Sequence, residues 1–311
     1  MTPTVMTVLG PVEASALGVT LPHEHILCDL WRVTRDPRHF MVDGPLAVDE
    51  VGRFKAAGGG AIVDCTTRQF GRDPLGLRTV ARATGVHVVM GCGWYREPFY
   101  DRSVYEGSVA GIAAAIEREI LEGVDGTDIR PGIIGEIGTD LHYISPAEER
   151  VFRAVARVQK RTGLSITTHT ARCPVGLDQL ALLEEEGVDL RRVIIGHCDT
   201  YPDPDFHDAI ARRGAYVQFD NLRGDSEWDT RNKIQWVRRL VESGHGRQVL
   251  LSQDVYMKPL LVAYGGTGYG YILTDFVPRL LAAGLSREQV EILLVDNPRR
   301  ALTGERATVE S

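Results

Sequence analysis

Long apolar runs are missing from this 311-residue chain. No stretch approaches the ~18 consecutive apolar residues that a membrane-spanning helix needs, so no membrane partner is expected. Basic residues are absent from the start: the first is Arg32, so the positive beginning of a signal peptide is lacking. Cysteine is sparse and scattered. Cys28, Cys65, Cys92, Cys173 and Cys198 form no CxxC pair, which speaks against a disulfide scaffold and for reduced thiols in a cytoplasm. An excess of positive charge is absent as well. The 35 Lys and Arg against 42 Asp and Glu give a net charge of −7, with no electrostatic footprint for nucleic acid or an anionic membrane. Linkers and low-complexity segments are also lacking, so residues 1–311 read as one domain.

What remains is an ordinary globular composition, 43% apolar and 25% charged. Its apolar residues fall into eight short β-branched runs, at 18–21, 61–65, 86–91, 132–137, 165–168, 193–195, 215–219 and 249–252. Most are continuous rather than alternating, as befits parallel strands covered on both faces. Helical patterns lie between them, at 47–57, 75–84, 104–122, 146–162, 176–186, 205–213, 230–243 and 271–283. The fourth opens on Ser145-Pro146 with Glu148 and Glu149 behind, a cap, a first-turn proline and favourable dipole charges. Eight strand–helix units imply an α/β fold, a parallel (β/α)8 TIM barrel. A doubly wound open sheet is the alternative, and eight uninterrupted units disfavour it. Residues 5–9 and 13–17, around Gly10-Pro11, are expected to form a short N-terminal β-hairpin closing the barrel's bottom.

In such a barrel the active residues sit at the C-terminal strand ends. The first strand ends in His23-Glu24-His25, the fourth in Glu136, the fifth in His169, the sixth in His197 and the eighth in Asp254. All six chosen side chains, four imidazoles and two carboxylates, are borderline-to-hard metal ligands at one rim. His23 and His25, two apart on a strand, face the same side. Two imidazoles and an Asp can hold one divalent ion, two further imidazoles a second, and a carboxylate such as Glu136 has oxygens enough to bridge both. An HxH pair or a lone strand-end His is ordinarily a satisfied polar residue. It is the joint occurrence that points to metal, since His39, His87, His142, His207 and His245 fall in helices, loops or a strand's start.

The motifs LPHEH (21–25), GIIGEIG (132–138), TTHT (167–170), IGHCD (195–199) and LLSQD (250–254), with GYGY (268–271) and DNP (296–298), carry a resemblance to a known family. By them the chain resembles the phosphotriesterase family of the amidohydrolase superfamily, from about residue 5 to residue 303. The resemblance implies a hydrolase with two divalent ions. Zinc suits this nitrogen-and-oxygen set, with manganese, cobalt or nickel as substitutes. His23, His25 and Asp254 would hold one ion, His169 and His197 the other, and Glu136 would bridge them. Asp254 would also be catalytic, taking the proton of a hydroxide shared by the ions. Homodimers are common among such relatives.

Two departures from the family pattern narrow the substrate. Glu136 stands where phosphotriesterases and lactonases carry a carbamylated lysine, as in the phosphotriesterase-related branch. Thr200 and Asn221 stand where efficient phosphotriesterases carry an Asp–His proton relay. Both point to a small carboxylic ester, lactone or amide as the substrate. The alternatives are an organophosphate triesterase and a catalytically idle, metal-bound binding protein. Trp94 and Tyr95, just after the third strand, are expected to wall the pocket. Arg223, Lys258 and the glycine-rich run 265–270, in the loops after strands seven and eight, are expected to bind an anionic group, unless those two charges are merely solvated.

Overall fold

The computed structural model describes residues 2–305. Eight parallel strands follow one another around the sheet in chain order: β1 (Thr20–Glu24), β2 (Ala61–Asp64), β3 (His87–Cys92), β4 (Ile133–Thr139), β5 (Ile166–Thr170), β6 (Val193–Ile195), β7 (Tyr216–Phe219) and β8 (Val249–Leu251). Each overlaps an expected apolar run, β1 by only two residues. Helices α1 (Gly44–Ala56), α2 (Pro74–Thr84), α3 (Val109–Glu122), α4 (Pro146–Thr162), α5 (Gly176–Glu185), α6 (Pro204–Arg212), α7 (Glu227–Glu242) and α8 (Val277–Ala282) return the chain from strand to strand. The architecture is the expected (β/α)8 barrel. Among the described residues no helix is long and apolar enough to cross a membrane.

The strands alternate between two apolar cores. Ile62, Val88, Ile134 and Ile195 join the large core shared with the helices. Val63, Val89, Ile133, Ile194 and Leu250 form a second cluster, completed by Val5 and Leu17 from the N-terminal segment. The period of two along each strand keeps these faces apart. Two strands break that period. The pairing of β1 with β2 shifts register between Leu21 and Glu24, and that of β4 with β5 between Ile134 and Ile137. Such irregularities re-aim a side chain, and these bracket His23 and Glu136.

Side chains rather than a strand ladder close the seam between β8 and β1. Ser252 Oγ accepts from the His23 N–H at 3.0 Å. Glu24 Oε1 accepts from the Gln253 N–H at 2.7 Å, and Oε2 from the Val255 N–H at 2.8 Å. The Asp254 N–H donates to the His23 carbonyl at 3.3 Å.

Two local expectations need correction, and one strand pair is new. The hairpin exists, but its strands are Thr4–Thr7 and Gly10–Glu13, with Val8-Leu9 at the turn. Gly10 sits at φ +107°, open to glycine, and Thr7 Oγ1 donates to its carbonyl, which pulls the second strand forward from 13–17. The helix expected over 104–122 is two helices, Arg102–Glu106 and Val109–Glu122, because Ser108 caps the second by accepting from the Gly111 N–H. A small antiparallel pair, Cys28–Asp29 with Phe40–Met41, was not foreseen; it frames a flap after β1.

Candidate metal centre

His23, at the end of β1, and His25, just past it, aim their Nε2 atoms at the carboxylates of Glu136 and Asp254. His23 Nε2 lies 3.8 Å from Glu136 Oε2 and 3.7 Å from Asp254 Oδ1. His25 Nε2 lies 3.8 Å and 3.3 Å from the same two atoms. Four donor atoms bound at about 2.1 Å in a tetrahedron stand about 3.4 Å apart, so these spacings fit a cation at the centre. His23 Nε2 is fully buried and has no hydrogen-bond partner, an unmet polar atom of the kind a bound ion would satisfy. Glu136 turns its other oxygen, Oε1, to His169 Nδ1 at 2.6 Å and His197 Nε2 at 2.9 Å. The donor set therefore has two halves that meet at one carboxylate.

A further layer orients the rings. Asp220, fully buried just beyond β7, accepts from His197 Nδ1 at 2.7 Å and lies 3.5 Å from His23 Nδ1. His197 Nδ1 is thus tied to Asp220 and Nε2 is the atom turned to the site, the usual second-layer arrangement for a ligating imidazole. Thr66 Oγ1 meets His25 Nδ1 at 3.0 Å, and Tyr95 Oη lies 3.2 Å from His169 Nδ1. Asp254 Oδ2 accepts from Arg223 Nη2 at 2.8 Å. Sequence reasoning passed over Asp220 and Glu24, although one directly follows a strand-like run and the other sits inside His23-Glu24-His25.

The electrostatics follow from burial and these neighbours. Burial alone would push Glu136 up, but the His169 and His23 imidazoles outweigh it and hold the carboxyl well below its ordinary range. Burial, reinforced by His197, drives His169 down to about 4. For His197 the Asp220 carboxylate overcomes burial and raises the imidazole well above its ordinary value. Asp254 stays below its ordinary value because His25 and Arg223 outweigh the cost of burying it.

Local backbone geometry serves the same end. His197 (φ +55°) and Asp254 (φ +48°) hold left-handed conformations that cost a side-chain-bearing residue about 1–3 kcal/mol. Gly196 precedes His197, and a Cβ there would stand 2.2 Å from the Thr168 carbonyl oxygen. Only glycine lets β5 and the turn after β6 approach this closely.

The centre lies on a cavity of about 520 Å³ whose walls include His25, Phe70, Tyr95, Phe99, Glu136, His169, His197, Asp254 and Tyr256. Of the four expected substrate residues, Tyr95 reaches it. Trp94 turns away, its indole Nε1 lying 3.1 Å from the Gln69 amide. Lys258 lies outside, over the Phe40 ring at 5.9 Å and beside a separate depression. Arg223 is 9% exposed and donates to the Gln253 carbonyl as well as to Asp254. Its charge is thus used inside the protein, not on a ligand. Three N–H groups of the glycine-rich loop are used internally as well. The N–H groups of Gly265, Gly266 and Gly268 donate to the loop's own carbonyls, at Val262, Leu261 and Leu260. The arginines that do line the cavity are Arg96 and Arg172, with His39 and His142 on the same wall.

Fold and rim together define a hydrolase-type (β/α)8 barrel with a candidate metal centre at its mouth. The chain belongs to the Phosphotriesterase family, whose model matches residues 3–302. It is 33% identical over 341 aligned positions to an N-acetyltaurine hydrolase of Rattus norvegicus, covering 96% of this chain and 97% of that one. The crystal structure of the phosphotriesterase homology protein of Escherichia coli, complexed with phosphate in its active site, superposes with a TM-score of 0.90 at 36% identity, over 92% of this chain and 99% of that one. That of a lactonase from Listeria monocytogenes gives 0.91 at 28% identity, over 97% and 100%.

Proposed function

We propose that residues 1–311 form one binuclear metal-dependent hydrolase of small carboxylic amides, esters or lactones, with zinc as the ion and the cytoplasm as its place. The observation that carries the reading is the two-sided seat of Glu136, with His23 and His25 toward one oxygen, Asp254 facing the same two imidazoles, and His169 and His197 toward the other. Two ions held there would lower the pKa of a shared water and polarise the scissile carbonyl. Glu136 would offer one oxygen to each ion, and Asp220 would hold the His197 ring with Nε2 turned to them. Asp254 faces the first half-site through Oδ1 while Oδ2 rests on Arg223. Oδ2 keeps a second lone-pair position for the proton released as water attacks. Tyr95, Phe70 and Phe99 keep one wall of the cavity apolar.

Arg223 also bears on the choice of substrate. An arginine does not give up its proton in a protein, so Asp254 has no onward relay through it. Asn221, which accepts from Arg223 at 2.7 Å, cannot supply one either. That favours acyl transfer, with a leaving amine or alkoxide available to take the proton, over the triester chemistry of relay-equipped relatives. The amide hydrolase and the lactonase among its relatives support the same substrate class.

The test is a panel on metal-loaded protein: N-acetyltaurine and other N-acyl amines, carboxylic esters, lactones and an aryl dialkyl phosphate. Turnover of at least one carboxyl derivative well above the phosphate is expected. Turnover of the phosphate alone would replace the reading with a triesterase, and tight binding without turnover would replace it with a binding protein.

A further inference from the structure

Arg172 stands three residues beyond His169, in the loop after β5. It lines the cavity, is exposed to it, and lies in a left-handed conformation at φ +61°. That conformation is held from behind. The Arg172 N–H donates to Thr200 Oγ1 at 2.8 Å, and Thr200 Oγ1 in turn donates to the His197 carbonyl at 2.8 Å. The backbone that carries the guanidinium is therefore hung on the turn that carries a candidate metal ligand.

The other cavity arginine is spoken for. Arg96 is paired with Asp140 and stacked over Tyr95 and Phe99, 5.1 and 5.3 Å from their ring centroids. Arg223, behind Asp254, is spent on that carboxylate. Among the described residues Arg172 pairs with no carboxylate, which leaves it as the uncompensated guanidinium on the cavity wall. A guanidinium presents a planar fork of donors that matches a sulfonate or carboxylate, and such charge-assisted bonds are the stronger kind.

Resting on the hydrolase reading above, we infer that Arg172 selects substrates by an anionic group, a sulfonate or carboxylate, on the part of the molecule distant from the scissile carbonyl. The substrate class is then an acylated amino acid or aminosulfonate rather than a neutral ester. Thr200 acts as the positioning residue, fixing the loop from which the guanidinium reaches.

The test compares N-acetyltaurine with its neutral analogue N-ethylacetamide on metal-loaded protein. Arg172→Asn is the informative variant, because asparagine tolerates the left-handed backbone. Relative to N-ethylacetamide, kcat/KM for N-acetyltaurine is expected to fall about 10- to 150-fold, mainly through KM. Arg172→Lys should restore part of it. Lys258→Ala, outside the cavity, should leave the ratio of the two substrates where it is in the parent. An unchanged ratio in Arg172→Asn would overturn the inference. If the parent hydrolyses neither compound, the esters and lactones of the panel decide the hydrolase reading on their own, and calorimetric titration with ethanesulfonate decides on Arg172 separately. Binding lost in Arg172→Asn supports the anion site, and equal binding by parent and variant rejects it.

Discussion

Asp254 is held from two sides, and the two contacts have different consequences when broken. Oδ1 faces His25 and His23, while Oδ2 takes the Arg223 guanidinium. Replacing it by asparagine keeps the shape but gives a neutral amide that cannot accept a proton. Asp254→Asn is expected to lose about 10²–10⁴ in kcat while far-UV circular dichroism stays that of the parent. Asp220 touches no substrate, yet it ties down the His197 ring and approaches His23. Asp220→Asn should therefore weaken metal retention, costing about 10–100-fold in affinity or activity. Titration of the metal-stripped protein with zinc, read against a competing chromophoric chelator, would show it. Equal affinities for parent and variant would mean that the Asp220 contact merely fills space. Histidine at strand ends made the first ring of residues legible from sequence. The second ring was not, because an aspartate after a strand looks like any loop aspartate until the fold brings His197 within 2.7 Å of it.

At the scale of elements, the runs of β-branched residues located all eight strands, and Ser145-Pro146 with Glu148 located α4 to the residue. The register shifts in β1 and β4 left no such trace, since pairing with a neighbour, not local composition, decides where a strand slips. The seam between β8 and β1 is of the same kind. Burial drives Glu24 up to about 8 even though the Val255 N–H, the Ser252 hydroxyl and the Gln253 N–H pull the other way. Glu24→Gln offers an amide nitrogen where one of those N–H groups sought an acceptor. An unmet buried donor costs about 1–3 kcal/mol, so a lower denaturation midpoint is expected, measurable in urea. Helix α6 supplies a pH-dependent contact. His207 Nε2 donates to the Cys198 carbonyl at 2.8 Å, and burial holds the imidazole below its ordinary 6.5. The unfolded chain then takes up the proton first as pH falls. His207's contribution is present above about 6.5 and is lost as pH drops through the lower folded value. His207→Gln should flatten Tm against pH across that window, and an unaltered slope would assign the acid sensitivity elsewhere.

For the whole molecule, the centre ties together strands from both halves of the chain. An ion bound there stabilises the fold by mass action, about 4 kcal/mol at a free concentration near 1,000 Kd. A chelator should accordingly lower Tm by several degrees, and scanning calorimetry before and after re-addition of zinc checks both directions. Barrel and rim were readable in sequence because each (β/α) unit repeats one pattern. The cavity's charge was not, because Arg223 and Lys258 sit in the right loops and only their packing, onto Asp254 and Phe40, shows that neither reaches the opening.

The seam that joins Glu24 to Gln253 spans 229 positions of chain. As the polypeptide emerges from the ribosome, His23 and His25 are made early and Asp254 very late, so a growing chain offers imidazoles without the carboxylate that completes their half of the site. Closure of the ring and completion of that half of the candidate centre are one event. Contacts this distant in sequence are the slow ones to form. Until the last strand docks, the unfinished protein lacks the carboxylate that faces His23 and His25, so that half of the candidate centre is the last to be completed.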